Sequence, residues 1–445
     1  MKFGPEIALV FFYFLVIVVI IQRMPFFKIK ALPKNFLISI FTLKVVAGIT
    51  LAFIYTKYYP NRNEADIFKY FDDSKYLHDA FWSEPKDFFK MMIGYGNDTE
   101  YFTTEYYSKM NNWFRVYESN IYNDSHTIIR FNALLRFFSF GVYHVHTVIM
   151  CFLSLIGLVA FYKAVFSEFK NKERILAFIV FLVPSLLFWS SGVLKEGLLI
   201  FGIGVLIYCC FEFFKGNFKW YYFPMIAIVL FLLLFLKIYA LMLLIPCLFS
   251  YWLIQKLKYK FIALVYFSSF TLATLFAINF HLVKKDYNIL EIITFKQHDF
   301  IKHAEVLGSG SVVKIDPVEP NLTSFILHAP ESLFITFFRP FIFESTNPLM
   351  IISGLENLFL FLLLFSVIIY RDKLNNSQKN LLYFLLFFSI TMYVLVGLVT
   401  PVMGAMVRYK VPALMTLVTA FVLIGNWKNL LNNYPKLKKR FKIEG

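Results

Sequence analysis

Residues 221–255 read YYFPMIAIVLFLLLFLKIYALMLLIPCLFSYWLIQ and contain a single charged side chain, that of Lys237. A helix that crosses a bilayer needs roughly twenty mostly apolar residues, because the hydrocarbon offers no water to bond the backbone. We place two such helices in this stretch, at residues 221–236 and 238–255. The stretch therefore predicts an integral membrane protein.

The composition of the whole chain agrees with this prediction. Of 445 residues, 59% are hydrophobic and 16% charged, and the mean hydropathy is +0.64. These values lie outside the range of soluble domains of this length. The aromatic fraction of 20% suits rings placed at the headgroup level. We predict an all-α polytopic membrane protein that forms one integral membrane domain over residues 1–445.

The length criterion predicts about eleven transmembrane helices in the chain. They lie at residues 7–22, 36–56, 144–166, 175–190, 193–213, 221–236, 238–255, 260–281, 348–370, 381–399 and 404–425. The first run lacks a signal-peptide cleavage pattern and is followed by basic residues, which favours a retained span.

The basic residues predict the orientation of these helices. If the helices alternate in direction, six segments share one side of the membrane, and each is basic. The residues concerned are Arg23, Lys28, Lys30 and Lys34; Lys170, Lys172 and Arg174; Lys215 and Lys219; Lys256, Lys258 and Lys260; Arg371, Lys373 and Lys379; and Lys436, Lys438, Lys439, Arg440 and Lys442. Basic loops are cytoplasmic, so the N-terminus is predicted outside and the C-terminus in the cytoplasm. Since the net charge of +16 is spread over these loops, nucleic acid is not expected as a partner.

Two long loops, residues 57–143 and 282–347, are predicted on the non-cytoplasmic side. Loops of this length are usually ordered and functional. Within the first, His126–Tyr143 has apolar residues at helical spacing, as does Ser324–Phe343 in the second. Both stretches predict amphipathic helices that lie in the membrane interface.

An acidic cluster in the first loop could carry chemistry. Residues 65–80 read ADIFKYFDDSKYLHDA and include Asp72 and Asp73. A carboxylate at the boundary between water and membrane can act as a general base when its surroundings tune its pKa. The pair could also bind a divalent cation through oxygen ligands, although we expect no cofactor and no metal. The alternative is a solvated acidic loop.

The arrangement of Asp72, Asp73, Tyr76 and Ala80 resembles a pattern in the GT-C superfamily of polytopic glycosyltransferases. In that superfamily an Asp-Glu or Asp-Asp pair opens the first external loop, followed by Tyr and Ala. The resemblance implies that Asp72 is the catalytic base and Asp73 its acidic neighbour, with Tyr76 in support. It also implies a polyprenyl-phosphate sugar donor and inversion of the anomeric centre.

A second candidate is the hairpin at residues 184–197, PSLLFWSSGVLKEG. It puts Lys195 and Glu196 into the first turn of a membrane helix. Ionisable groups near membrane depth are costly and mark functional sites, and a helix N-terminus with a lysine favours phosphate. The alternative is that Lys195 extends to the headgroups while Glu196 caps the helix.

A third candidate lies at residues 400–412, TPVMGAMVRYKVP, where Arg408 and Lys410 enter an apolar helix. Both cations could grip a lipid-borne phosphate, as could Arg130 in the first loop. The segment resembles one in bacterial envelope-polysaccharide polymerases, which implies that it holds the pyrophosphate of a lipid carrier. The alternative is anchoring at the interface.

Other polar residues have less specific patterns. Lys44, Lys237 and Glu356 could join a polar interior or reach the membrane surface. His144 and His146 are expected at the interface, and Asn123-Asp124-Ser125 matches the glycosylation sequon. Neither pattern predicts a site by itself.

Three functions remain open at this point. The first is a glycosyltransferase that moves a sugar from a polyprenyl-phosphate donor to a glycan or lipid acceptor on the outer side of the membrane. The second is a polymerase of lipid-linked oligosaccharides, and the third is a lipid or solute transporter. The charges near helix ends favour a transferase, in which Asp72, Lys195 and Arg408 converge on one cavity. The composition suggests a bacterial plasma membrane.

Overall fold

The computed structural model describes residues 3–29, 32–33, 35–59, 61–114, 122–217, 219–258, 260–285, 287–306, 311–345 and 347–432. Among the basic residues used for the orientation, Lys30, Lys34 and the tail residues from Lys436 to Lys442 lie outside these ranges.

The described residues form α-helices and two isolated antiparallel bridges. The first ten helices are α1 (Phe3–Arg23), α2 (Phe36–Tyr58), α3 (Asp66–Ser83), α4 (Pro85–Ile93), α5 (Glu100–Glu105), α6 (Ser125–Ser139), α7 (Tyr143–Val165), α8 (Glu173–Leu182), α9 (Pro184–Trp189) and α10 (Lys195–Phe214). The remaining helices are α11 (Tyr222–Leu257), α12 (Ile262–Asn279), α13 (Ile289–Val306), α14 (Leu322–Phe338), α15 (Pro348–Ile369), α16 (Asn376–Val399), α17 (Met403–Tyr409), α18 (Val411–Ile424) and α19 (Trp427–Asn432).

Eight of the described helices are long and apolar enough to cross a membrane, namely α1, α2, α7, α10, α11, α12, α15 and α16. Helices α17 and α18 pass the same test as a pair, but they are bent by 60°. The predicted class of all-α polytopic membrane protein is therefore confirmed. The count of about eleven spans and the orientation stay predictions.

The predicted span at residues 175–190 is divided into two short helices. Helix α8 ends at Leu182 and α9 begins at Pro184, while Val183 between them is extended, with φ −60° and ψ 125°. The cause is Pro184, because proline disfavours helical geometry in the preceding residue. The prediction of one continuous helix at this place was wrong.

Two further breaks, one at a predicted boundary and one inside a predicted span, fall at lysines. Helix α11 runs for 36 residues, but its backbone leaves helical geometry at Lys237, with φ −155° and ψ 79°. The predicted separation of residues 221–236 from 238–255 is thus a break within one long helix. The predicted span at 404–425 is divided at Lys410 between α17 and α18.

The chain forms two compact units, each made of several segments. The first unit comprises Met1–Val159, Leu187–Val205 and Ile226–Ile238, and the second comprises Ala160–Leu186, Leu206–Met225 and Tyr239–Gly445.

In the first unit, the predicted loop 57–143 contains the helices α3, α4, α5 and α6. Helix α3 packs along α6, where the Arg136 guanidinium donates to Ser74 Oγ (2.8 Å) and to the Phe71 carbonyl (2.5 Å). The membrane helices α7 and α10 approach closely at Gly157 and Gly204, where an added Cβ would meet the opposite backbone. Small residues at such crossings are typical of membrane helix pairs.

In the second unit, α16 packs against α14 and α18. Gly397 in α16 lies so close to the Ser332 carbonyl of α14 that a side chain would clash with it. The predicted loop 282–347 contains α13 and α14. Two backbone hydrogen bonds join this loop to the start of α17, from Val313 N to the Pro401 carbonyl (2.7 Å) and from Met403 N to the Ser311 carbonyl (3.0 Å).

Candidate functional site

The connection between α9 and α10 is a buried turn, Ser190-Ser191-Gly192-Val193-Leu194. Lys44 of α2 is fully buried and donates to Ser190 Oγ (2.6 Å) and to the Ser190 carbonyl (3.3 Å). The Cys151 thiol of α7 donates to the Ser191 carbonyl (3.0 Å). The neighbouring helices α2 and α7 thus satisfy the carbonyls of Ser190 and Ser191, which holds the turn before α10 in place.

Lys195 is the first residue of α10, and only 5% of it is exposed. Its ammonium group donates to Asp124 Oδ1 (2.9 Å) and to Ser125 Oγ (3.1 Å). It also lies 5.0 Å from the centre of the Tyr70 ring, within the range of a cation–π contact. Lys195 therefore points into the protein and does not extend to the membrane surface. The adjacent Glu196 is also buried.

Lys237 binds the other oxygen of the same carboxylate, with 2.6 Å between its Nζ and Asp124 Oδ2. This lysine stands at the break in α11. The Thr127 hydroxyl donates to the Phe235 carbonyl (2.7 Å), two residues before the break. Helix α6 therefore supplies a hydrogen-bond donor to a carbonyl of α11 next to the break. Carbonyls at a break in a membrane helix need such partners because lipid offers none.

We call Lys195, Lys237 and Asp124 the lysine cluster. Two buried ammonium groups contact one carboxylate in it, and the Asp66 carboxylate acts on Lys195 at longer range. Buried charges are costly unless they are paired and hydrogen-bonded, so the contacts with Asp124 stabilise both ammonium groups. Ammonium groups bind phosphate as point charges, which fits the phosphate-binding role predicted for Lys195.

A second polar region of the first unit is an open cleft of about 870 Å³ beside α3. Asp72 lines this cleft and forms a bidentate pair with Arg62, at 2.7 and 3.0 Å. The pair is accessible, with the Arg62 side chain 50% and the Asp72 side chain 30% exposed. The cleft is lined by Asn63, Phe71, Asp72, Lys75, Tyr76, His78, Asp79, Lys109, Asn111, Arg136, Phe140 and Gly141.

Asp73 faces the interior of the protein, unlike its neighbour Asp72. Its carboxylate is fully buried and accepts the backbone N–H groups of Asn111 (2.8 Å) and Asn112 (2.7 Å). Burial raises the pKa of this carboxyl, while the two N–H groups act to lower it. The Asn112 side chain continues the network by donating to Ser125 Oγ (3.2 Å), the group that also accepts from Lys195. Asp73 therefore supports the lysine cluster indirectly. Because its carboxylate faces the interior, it does not join Asp72 in binding one ligand.

The two arginines of α6 bind protein groups. Arg130 donates to the Met91 carbonyl (2.7 Å) and to the Tyr122 hydroxyl (3.0 Å). Arg136 holds α3 as described above, and its burial lowers its pKa to about 10. Arg130, which was predicted to bind phosphate, thus fixes α6 to the segment before it.

In the second unit, Lys410 is fully buried at the break between α17 and α18. It donates to the Thr336 carbonyl and to Asn357 Oδ1, both at 2.9 Å. Glu356 beside Asn357 accepts the backbone N–H of Ser185 (2.6 Å) through Oε2. Within the described residues, Glu356 Oε1 and the Tyr393 hydroxyl are buried and have no hydrogen-bond partner. Arg408, the other predicted phosphate ligand here, is buried, with its guanidinium 5.5 Å from the Tyr409 ring centre.

The predicted residues thus fall into separate surroundings. Lys195 belongs to the lysine cluster, Asp72 and Tyr76 line the open cleft, and Asp73 is an internal support. Lys410 donates to two neutral acceptors in the second unit and lies near the Glu356 carboxylate. The convergence of Arg408 with Asp72 and Lys195 in one cavity stays a prediction.

Sequence analysis missed Asp124. It stands directly before α6, where an aspartate is expected to cap the helix, yet it makes no capping hydrogen bond. Its ammonium partner Lys195 lies 71 positions away in the chain. A local pattern carries no information on such a contact, so only the fold reveals it.

Among the residues that the structure describes, no group of three or more His, Cys, Asp or Glu side chains is arranged to hold a metal ion. No protein-family model, curated protein or solved structure matches the chain.

Proposed function

We propose that the protein is a membrane glycosyltransferase that uses a sugar linked to a polyprenyl phosphate, and that the lysine cluster holds the donor phosphate. The observation that carries the proposal is that two buried ammonium groups, those of Lys195 and Lys237, contact one carboxylate. The oxygens of a lipid-borne phosphate can bridge the same two ammonium groups, and its tail remains in the bilayer.

In this proposal Asp72 is the base that activates the acceptor in the open cleft, with Tyr76 in the same lining. Arg62 occupies both Asp72 oxygens and must release one of them before the carboxylate can accept a proton. Because the pair is exposed, its separation costs at most about 1 kcal/mol. The cleft has room for a sugar or lipid headgroup as acceptor.

The resemblance of Asp72, Asp73 and Tyr76 to the GT-C pattern supports the same proposal. It adds a glycan or lipid acceptor, reaction on the outer side of a bacterial plasma membrane, and an N-terminus on that side. Arg408 is proposed as a further phosphate ligand. No metal ion is required, because the cations that neutralise the leaving phosphate are side chains of the protein.

A polymerase of lipid-linked oligosaccharides is the alternative within enzymes. Its pyrophosphate leaving group already carries well-stabilised charge, so the cations that hold it matter more than activation of the acceptor by Asp72. A transporter is also favoured by one observation, since α11 and the pair α17 and α18 are both interrupted at a buried lysine. Interrupted helices with polar groups at the break are typical of transporter binding sites.

The experiment that separates these functions uses the purified full-length protein with radiolabelled polyprenyl-phosphate and polyprenyl-pyrophosphate sugars. Transfer from the monophosphate donor that Asp72→Asn abolishes supports the transferase. Transfer from the pyrophosphate donor that survives Asp72→Asn in part supports the polymerase, and Arg408→Ala reduces both reactions. Asp98→Asn, at an exposed position, is the control. Movement of labelled lipid across a vesicle membrane without any product would show a transporter.

A further inference from the structure

The carboxylate of Asp124 is placed between the two ammonium groups of the lysine cluster. Oδ1 binds Lys195 at 2.9 Å and Oδ2 binds Lys237 at 2.6 Å, so each oxygen serves one lysine. A phosphoryl group that contacted both lysines would need the same position, because it too bridges cations through separate oxygens.

The three side chains differ in their exposure to solvent. The Asp124 side chain is 19% exposed, whereas the side chains of Lys195 and Lys237 are 7% and 8% exposed. The carboxylate therefore forms the accessible side of the cluster. It can turn to water more readily than either lysine, because it is already closer to the solvent. The exchange also leaves α6 in place, because Thr127 remains bound to the Phe235 carbonyl.

The position of Asp124 in the chain adds a second argument. An aspartate directly before a helix ordinarily accepts N–H groups of the first turn, and Asp124 does not. Asn123 already accepts the backbone N–H groups of Ser125 (3.1 Å) and His126 (3.0 Å), so the start of α6 does not depend on Asp124. Asp124 can therefore leave the lysines without costing α6 a capping hydrogen bond.

We propose that Asp124 is an internal counter-ion that closes the lysine cluster in the ligand-free protein, and that the phosphoryl group of a lipid ligand displaces it. This inference rests on the proposed function, because it assumes that the cluster binds phosphate. Its consequence is competition: the affinity for phosphate is reduced by the fraction of protein in which Asp124 occupies the lysines.

The test is the binding of farnesyl phosphate to the purified full-length protein in detergent, measured by isothermal titration calorimetry. Asp124→Asn removes the competing charge, and we expect it to bind the probe about tenfold more tightly than the wild type. Lys195→Met and Lys237→Met should each weaken binding, and the exposed Asp98→Asn should leave it unchanged.

A second comparison covers the case in which Asp124→Asn fails to fold because two buried ammonium groups lose their partner. The double variant Asp124→Asn, Lys237→Met keeps one ammonium group and is compared with Lys237→Met alone. We expect the double variant to bind farnesyl phosphate more tightly than this single variant.

The outcomes separate the inference from the proposed function. If the wild type binds through its lysines and Asp124→Asn binds equally well or more weakly, the counter-ion role is wrong and the phosphate site stands. If neither the wild type nor any variant lacking Asp124 binds the probe, both proposals are overturned.

Discussion

Two helix breaks in the molecule each place a lysine inside the protein, and the two lysines have different partners. Lys237 shares the Asp124 carboxylate with Lys195, and that carboxylate is partly exposed. Lys410 is fully enclosed and donates to two neutral acceptors, the Thr336 carbonyl and Asn357 Oδ1. The same residue type at a similar backbone position thus meets two kinds of surroundings.

Under the proposed function, this difference distinguishes a phosphate-binding site from a structural support. A buried ammonium group that neutral acceptors satisfy holds the helices that supply them, and a ligand cannot reach it. Two ammonium groups that share an accessible carboxylate can exchange it for the anion of a ligand. The same distinction separates Asp73, which is enclosed and bound by backbone N–H groups, from Asp72 in the open cleft.

The largest effect is expected when Lys410 is replaced by Met. The change leaves the Thr336 carbonyl and Asn357 Oδ1 without their donor and Glu356 without a nearby cation, so it should lower the free energy of unfolding by about 3–5 kcal/mol. Denaturation in mixed micelles measures this loss. Lys373→Met, at an exposed position of the same unit, should change stability by less than about 0.5 kcal/mol. A Lys410→Met protein as stable as this control would show that Lys410 is not a structural support.

Replacement of Lys195 by Met should have a smaller effect on stability and a larger one on binding. Asp124 keeps Lys237 as its partner, so we expect a loss of about 2 kcal/mol, together with weaker binding of farnesyl phosphate. The two readouts are unfolding and calorimetric titration of the same preparation. If Lys195→Met costs as much stability as Lys410→Met and binding is unchanged, the lysine cluster is a structural support instead.

Asp73→Asn applies the comparison to the carboxylates. The amide offers one acceptor where the carboxylate offers two, and its NH₂ group would face a backbone N–H, so we expect a loss of about 1–2 kcal/mol. Thermal unfolding monitored by tryptophan fluorescence measures it. Because Asn112 also contacts Ser125, binding of farnesyl phosphate should weaken with stability. An Asp73→Asn protein with normal stability and no activity would instead give Asp73 a direct chemical role.

Asp72→Asn should have the smallest effect on the fold. Its pair with Arg62 is exposed, so the change should alter the free energy of unfolding by less than about 1 kcal/mol. Under the proposed function the same variant loses transfer from the monophosphate donor. A destabilisation comparable to that of Asp73→Asn would show that the two carboxylates do not differ as the structure indicates.

Hydropathy predicted the class of all-α membrane protein because lipid imposes one rule on every crossing segment: its backbone must bond within itself. The same rule located the break at Lys237, since one lysine interrupted a long apolar run. It failed at Pro184, because the hydropathy of an apolar stretch does not show that the residue before a proline leaves helical geometry.

The candidate site was predictable in part. The cost of burying a charge singled out Lys195, and its burial agrees with that argument. Asp124 was not found, because its lysine partners come from distant helices and its own neighbourhood suggests only a helix cap. For the same reason the sequence could not show that Asp72 and Asp73, or Lys195 and Lys410, have different surroundings. Adjacent residues on a helix point in different directions, and the packing of other helices decides what each one meets.

The break in α11 also bears on the thickness of the surrounding bilayer. The part of α11 before Lys237 rises only about 22 Å at 1.5 Å per residue, less than the roughly 30 Å of hydrocarbon in an average membrane. Trp220 and Tyr221, which precede the helix, are exposed and of the type that anchors in the headgroup region. Lys237 therefore lies below the membrane surface on the side opposite Trp220 and Tyr221, and a ligand must enter the bilayer from that side to reach it. Lipids with shorter acyl chains would bring that surface nearer to the lysine.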